Sequence, residues 1–580
     1  MKGSFIQAGV FILLLLTGSS CKENNHVPST LLIQEMNLKR GEVISCGPAD
    51  QEFGSLAFEI TGSPQAKKDF MLALKLLHSF EYDEAEKVFA GIIDKDPKCA
   101  MAYWGVAMSN FHALWAPPTA AELNKGAKAI AIANTIKNKS ARESAYIAAI
   151  EAYYENYETR DHRNRCLQFE KAMEQLRDKY PGDYEAAIFY TLALNAAADP
   201  ADKSFTKQKK AGEILNALYP GQPNHPGIVH YIIHTYDSPE LAVMGLEAAR
   251  RYASIAPSSA HALHMPSHIF TRLGLWEECV QSNLASVNSA QCYAKLTGIK
   301  GHWDEELHGL DYLMYAYLQR GQNYLAKKQL AYVDSIQEIH PANFKVAYAV
   351  AAIPSRYVLE NKNWSEAVTL KLPQKNFSWE TFPWQKSIIH FTRIMGAVHT
   401  GKKDIAGNEL KQLKQLHDEL VKQEDDYKAG QILIQIKTAE AWMYFMDGKP
   451  DLALTEMSLA ADLEEKTEKH PVTPGEVIPA RELLGDLLMQ MNKWDKALEA
   501  YEANLKKHPN RFNGLYGAGL AAEQSGNLGK AKLYYGQLMK VANPANSNRP
   551  ELIIANRFLE EQSHNDYMTA SSVEMNVLRK

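Results

Sequence analysis

The stretch "ELLGDLLMQMNKWDKALEAYEANLKKHP", residues 482–509, is followed by "LYGAGLAAEQSGNLGKAKLYYGQL", residues 515–538, and both share one design. In each stretch a glycine precedes an alanine by 12 residues, and a tyrosine follows that alanine by four. The matching pairs are Gly485 and Gly519, Ala497 and Ala531, and Tyr501 and Tyr535. Apolar residues recur at spacings of three and four, which predicts helices that bury one face. The chain is therefore expected to repeat a helical unit.

The distance from Ala497 to Ala531 is 34 residues, which is the period of the tetratricopeptide repeat (TPR), and the unit resembles that repeat. The same pattern recurs upstream, with Ala73, Ala85 and Phe89 in one segment and Gly321 and Ala326 in another. Strand-like alternation is nearly absent. We expect an all-α, TPR-like α-solenoid of antiparallel helix pairs, each burying its face on its neighbours.

The N-terminus "MKGSFIQAGVFILLLLTGSSCKENN" reads as a secretory signal that is too short to remain as a membrane-spanning helix. Its ending resembles a bacterial lipobox, which implies lipidation of Cys21, with Gly18 in place of the usual leucine. The alternative is an ordinary signal peptide that is cut near this point and leaves Cys21 unlipidated. We expect a signal peptide at 1–20, a lipid-anchored tether at 21–50, TPR-like arrays at 51–340 and 341–560, and a tail at 561–580. The predicted location is the bacterial outer membrane, facing the periplasm or the surface.

The composition excludes some classes of function. The chain has 63 basic and 68 acidic residues, and its net charge of -5 provides no polyanion footprint, so nucleic acid is not an expected partner. With Cys21 lipidated, five sparse cysteines remain, which argues against a disulfide framework. No P-loop, GxGxxG, GxSxG or CxxC motif stands at a convincing position.

Histidines concentrate in "HPGIVHYIIHTYD", residues 225–237, and "HALHMPSHIF", residues 261–270, which together carry six of the chain's 19. Imidazole is a common transition-metal ligand and titrates near neutral pH. Spacings of three and four place histidines on one helical face. The candidates for ligand or metal binding are His230, His234, His261, His264, His268, His308, Asp237 and Asp311.

Counted from the turn at Gly274, several of these residues fall on first-helix positions that face the concave groove in TPR proteins. Such a set suits zinc, iron or manganese rather than calcium, which prefers oxygen ligands. No glutamate follows His230 or His264 as in HExxH, so a hydrolytic mechanism has no evident base. Two other interpretations remain: metal-free ligand binding in the groove, and a purely structural role. His225 is predicted to belong to a turn that opens a helix, and Pro266 to disturb the geometry of His264 and His268.

Further candidates for the wall of a ligand site are aromatic or imidazole side chains near the first repeats and beside His308. They are His78, His112, Trp115, Tyr312 and Tyr315.

Several ungapped blocks resemble an uncharacterised bacterial TPR-domain family. They lie at residues 78–80, 96–105, 225–237, 255–276 and 307–319. The resemblance covers most of residues 45–340 and implies the TPR fold and export, but no reaction.

Two hypotheses for function follow. The first is a lipid-anchored TPR protein that binds a peptide, partner protein or nutrient-derived ligand in its groove, as an accessory of outer-membrane uptake. The second is a metal-dependent enzyme that uses the histidine cluster. Oligomeric state is left open by the sequence.

Overall fold

The computed structural model describes residues 27–47, 52–112, 114, 117–199, 202–542 and 547–577, with side chains of the last helix described through His564. Almost all regular structure in this part of the chain is helical, which confirms the predicted all-α solenoid. The N-terminal helices are α1 Thr30–Glu35, α2 Pro64–His78, α3 Tyr82–Lys95, α4 Ala100–Ser109, α5 Ala120–Thr135, α6 Ala141–Tyr154, α7 His162–Lys179, α8 Tyr184–Ala196 and α9 Thr206–Leu218.

The central helices carry the histidine-rich blocks. They are α10 Pro226–Thr235, α11 Leu246–Ile255, α12 Ala260–His264, α13 Pro266–Leu273, α14 Trp276–Thr297, α15 Asp304–Gln319, α16 Asn323–Ser335, α17 Phe344–Glu360 and α18 Trp364–Ala367. The C-terminal helices are α19 Pro383–His399, α20 Lys403–Lys422, α21 Asp426–Met446, α22 Pro450–Lys466, α23 Ala480–Gln490, α24 Trp494–Lys507, α25 Phe512–Gln524, α26 Leu528–Val541 and α27 Pro550–Val577. Short 3-10 turns occupy Tyr219–Gly221, Ala242–Gly245 and Trp379–Thr381. The sheet in the described residues is one parallel pair, β1 His302–Trp303 and β2 Ile339–His340.

The small residues of the repeat are explained by the aromatic rings that they face. A Cβ added at Gly485 on α23 would lie 2.7 Å from the ring of Tyr501 on α24. The equivalent distance is 2.6 Å from Gly519 on α25 to Tyr535 on α26. Consecutive helices thus approach closely because a buried ring packs against bare backbone.

The central and C-terminal parts of the solenoid contact each other directly. Gly274, at the turn between α13 and α14, has a φ of +64°, and a Cβ there would lie 2.3 Å from the carbonyl oxygen of Pro509. Trp276 donates its indole N–H to the carbonyl of Asn510 at 2.7 Å. Glycine is therefore required at 274 both by the left-handed backbone and by the close approach.

A second contact between distant parts is made by the 467–479 loop, which joins α22 to α23. Tyr312 on α15 donates to the carbonyl of Thr473 at 3.1 Å, and Arg356 on α17 donates to that of Gly475 at 2.8 Å. Lys469 reaches Asp237 beyond the end of α10. The loop therefore lies against the helices that carry the histidines.

One disulfide corrects the expectation drawn from the cysteine count. Cys46 and Cys292 are bonded, whereas Cys99, Cys166 and Cys279 are free and buried. The bonded pair is 246 residues apart in sequence and meets only because residues 27–47 pack along α3 and α14. Sparse cysteines with such a separation carry no recognisable spacing, so this bond could not be predicted from the sequence.

Candidate metal centre

Six histidines from four central helices form two groups. The first histidine cluster is His230 and His234 of α10 with His261 of α12, and the second is His264 of α12, His268 of α13 and His308 of α15. Within each cluster one ligand atom from each ring lies within 4.8 Å of the others. All six candidates are thereby brought together, in two neighbouring groups instead of one.

The first histidine cluster is centred on His230. Its Nε2 lies 3.1 Å from Nε2 of His234 and 3.2 Å from Nε2 of His261. Its Nδ1 lies 2.6 Å from the carbonyl oxygen of His78, which can only accept a hydrogen bond. Nδ1 must therefore carry the proton of the neutral ring, and Nε2 presents a lone pair to the other two histidines.

Hydrogen bonds at Nδ1 also fix the tautomers of two rings in the second histidine cluster. His264 donates from Nδ1 to Oδ1 of Asn283 at 2.7 Å, and the orientation of that amide is set because its Nδ2 donates to Cys279 O at 2.8 Å. His268 donates from Nδ1 to Asp237 Oδ2 at 3.0 Å. Both Nε2 atoms are consequently without a proton, although they lie 3.2 Å apart.

Two lone pairs at that distance repel unless a cation lies between them. For metal–nitrogen bonds of 2.0 to 2.1 Å in a tetrahedral site, neighbouring ligand nitrogens are separated by about 3.3 Å. The separation of His264 and His268 is close to this value. The ring centroid of His308 is 4.1 Å from that of His264, so a third imidazole lies beside the pair, with one ring nitrogen of each within 4.8 Å of the others. The three rings are therefore a candidate ligand set for a metal ion.

Burial keeps these rings neutral, as metal ligation requires. It lowers the pKa of His230 to about 3 and those of His234, His261, His264 and His308 well below the usual value, with neighbouring imidazoles adding to the effect. Burial also lowers the pKa of His268, against an opposing contribution from Asp237. At neutral pH the six rings therefore retain their lone pairs.

A third group, His78, Glu185 and His225, has a different character. His225 accepts the N–H of Ile228 at Nδ1, so its Nε2 carries the proton and donates to Glu185 at 2.8 Å. His78 donates from Nε2 to Glu185 at 2.9 Å and accepts from Tyr231 at 3.0 Å. Every ring nitrogen has a complementary partner, so this group needs no ion. His225 also caps α10, as its turn residues predict.

Asp237 orients His268 and is itself held by two cations. Its Oδ1 accepts from Arg272 Nε at 2.8 Å, and its Oδ2 lies 3.1 Å from Nζ of Lys469. Burial alone would raise the pKa of Asp237, but Lys469, Arg272 and His268 hold it well below its usual range. Such a carboxylate fixes the tautomer and direction of a ligating imidazole. Lys469 could not be recognised from the sequence as part of this site, because only the folded 467–479 loop brings it beside Asp237.

The remaining candidates lie apart from the ligand atoms, with one exception. Tyr312 lines the second histidine cluster, with its hydroxyl 3.3 Å from Nε2 of His268. Asp311, expected beside the histidines, instead forms a buried ion pair with Arg356, because α15 turns it toward α17. Tyr315 accepts from Arg511 at 2.8 Å, and the His112 ring stacks on Tyr82.

The histidines differ from the expectation of an open groove. All except His234 are 9% exposed or less, because the helices close around them and the 467–479 loop lies on the same surface. Paired alanines at His264 and His268 would leave the buried Asn283 and Asp237 without their donors. Pro266 begins α13, and a turn at Met265 separates α12 from α13, although Met265 keeps a right-handed helical backbone. The predicted residues Trp115 and Cys21 lie outside the described residues.

Comparison with known proteins supports the repeat and adds little beyond it. Residues 483–547 match the family described as "Tetratricopeptide repeat", and no curated protein matches the chain. The human IFIT1 dimer with m7Gppp-AAAA is 11% identical, with 75% of this chain and 90% of that chain covered and a TM-score of 0.32. The APC/C hetero-tetramer Cut9-Hcn1 is 12% identical, with 86% and 96% covered and a TM-score of 0.25. The protein is an all-α solenoid of the tetratricopeptide-repeat type.

Proposed function

We propose that this protein binds two transition-metal ions, one in each histidine cluster at the centre of its solenoid. The observation that carries the proposal is the pair of unprotonated Nε2 atoms of His264 and His268, which face each other at 3.2 Å. The anchored Nδ1 atoms of these rings leave no proton to share between them. An ion in this position satisfies both lone pairs and that of His308.

The donor set narrows the choice of metal. Each cluster consists of three imidazoles, and imidazole suits zinc, iron, copper and nickel, whereas manganese and calcium favour oxygen. Of the metals that the sequence suggested, zinc and iron therefore fit better than manganese. Three protein ligands leave a coordination position for another molecule, as in catalytic zinc sites, so metal-dependent chemistry is the activity that this centre supports.

Binding of a protein or another ligand by the solenoid is supported by its tetratricopeptide repeats. We also propose that the solenoid captures a peptide, partner protein or nutrient-derived ligand as an accessory of outer-membrane uptake. Because the 467–479 loop covers the histidine-bearing helices, we place such a partner elsewhere on the concave surface.

Metal content tests the proposed function directly. Asparagine places an amide N–H close to the position of histidine Nδ1, so His230→Asn and His264→Asn keep the hydrogen bonds to His78 O and Asn283 while removing the ligating Nε2. We expect the two ions of the parent protein to fall to about one in each variant and to about zero when the two are combined, since each cluster loses a ligand. Plasma mass spectrometry of protein purified without chelator gives the counts.

His225→Gln is the matched control, because it keeps a donor for Glu185 in an equally buried histidine outside both clusters. It should retain both ions, with helix content checked by circular dichroism. A parent protein that stays free of metal after incubation with zinc, iron(II) and copper would refute the proposal, as would unchanged binding in the combined variant.

We also propose lipid anchoring at Cys21 and export to the outer membrane. The histidine blocks further support kinship with the bacterial family that shares them. The lipobox-like sequence and the Cys46–Cys292 disulfide support export, because disulfides persist in oxidising compartments. Among the described residues no helix is long and apolar enough to span a bilayer.

Cys21→Ser is expected to move the protein from the membrane fraction to the soluble fraction, since acyl chains supply the affinity for the membrane. Unchanged fractionation and unchanged mass would contradict the anchor.

A further inference from the structure

The two histidine clusters are close enough to act as one centre. His261 of the first and His264 of the second lie three positions apart on the same short helix, α12. The ring centroids of His234 and His268, one from each cluster, are 6.3 Å apart. Ions bound in both clusters would therefore interact strongly, since Coulomb energy scales with the product of the charges and is weakly screened in a buried site.

The ligands do not offset this charge. Each cluster is composed of three imidazoles, which are neutral when they ligate a metal. Two divalent ions would thus keep their full charge in the interior, where an uncompensated charge is costly.

The charged groups beside the clusters are already matched to each other. Asp237 is paired with Arg272 and Lys469 next to the second cluster. Lys345, whose positive charge acts on His261, His264 and His308, is paired with Asp304 and Glu305. These six groups carry three positive and three negative charges, so they leave no net negative charge for the ions. Glu81, near the His261 backbone, accepts a hydrogen bond from Ser259 at 2.6 Å and belongs to neither ligand group.

Each ion also keeps an open coordination position, because each has three protein ligands. We propose that the two histidine clusters form one paired centre that takes up a small anion, such as a carboxylate, as a ligand shared by both ions. The inference rests on the proposed metal binding and deepens it by naming the class of ligand: an anion supplies both the missing charge and the missing donor atoms.

Azide is a suitable probe because it is a small anion that coordinates metals, and cobalt(II) gives visible bands that report on its ligands. The protein is loaded with cobalt(II) in a buffer whose only other anion is perchlorate, and azide is then titrated while these bands are followed. The parent protein is expected to bind one azide per two cobalt ions, at least 10-fold more tightly than His230→Asn or His264→Asn, which each keep one ion. Acetate should compete with azide, which tests whether a carboxylate occupies the same position.

Two azides per protein with the affinity of the single-site variants would overturn the shared ligand, as would two bound cobalt ions with no response to azide. Either result would leave the proposed metal binding intact. Failure to bind cobalt, zinc, iron(II) or copper at all would reject both, so the two proposals are distinguished. His225→Gln, which lies outside both clusters, should titrate like the parent protein.

Discussion

Replacing Arg511 with methionine is expected to lower the free energy of unfolding by about 3–5 kcal/mol, because it leaves buried carboxylates without their cation. The Arg511 guanidinium is fully buried and donates to both oxygens of Glu482 at 2.8 Å and to Glu360 at 2.7 Å. It also donates to Tyr315 on α15 at 2.8 Å, which links the central helices to α23 and α25. Urea unfolding followed by circular dichroism measures the loss.

Arg481→Met is the matched control, since Arg481 pairs with Asp462 and Glu465 at the surface. Exposed ion pairs contribute little, so this change should cost less than about 1 kcal/mol. Combining Arg511→Met with Glu360→Gln and Glu482→Gln should restore much of the stability, because no unpaired charge then remains. Equal costs for Arg511→Met and Arg481→Met would contradict the assigned role.

Asp237→Ala is expected to weaken metal binding in the second histidine cluster by about 10- to 100-fold, because His268 loses the acceptor that orients it. Asp237→Asn keeps an acceptor oxygen at nearly the same position, so its loss should be smaller. Competition with a chromophoric chelator measures the affinity of each variant.

Asp237→Ala and Asp237→Asn should also lower the free energy of unfolding. The folded-state pKa of Asp237 is depressed, so its contribution is fully present above the unfolded pKa of about 3.9 and is lost as the pH falls through the folded value. At pH 7 the substitution therefore removes the whole contribution and leaves Arg272 and Lys469 unpaired. Asp311→Asn, in the buried pair with Arg356, should lower stability without altering metal affinity. Equal loss of metal in Asp311→Asn would show that the effect is not specific.

The helical solenoid could be predicted because its determinants are local. The glycines and tyrosines of residues 482–538 recur at a fixed spacing, and each pair makes the same contact between consecutive helices. The grouping of histidines was predictable for the same reason, since spacings of three and four place His230 with His234 and His264 with His268 on one face of the local helical path.

What the sequence could not show depends on contacts between distant segments. The six histidines divide into two clusters because His261 contacts His230 of α10, whereas His264 and His268 lie beside His308 of α15. Lys469 reaches Asp237 from 232 residues away, and Cys46 reaches Cys292 from 246. Asp311 lies three positions after His308, a spacing that places both on one helical face. It nevertheless pairs with Arg356 of α17.

Anomalous diffraction from crystals of protein grown with zinc, recorded on both sides of the zinc absorption edge, would locate metal ions in the two histidine clusters. We predict two peaks, one within about 2.0–2.1 Å of Nε2 of His264 and His268 and of a ring nitrogen of His308, and one in the same relation to His230, His234 and His261. An absence of peaks at both clusters, with the rings turned so that each Nε2 faces a hydrogen-bond donor, would contradict it.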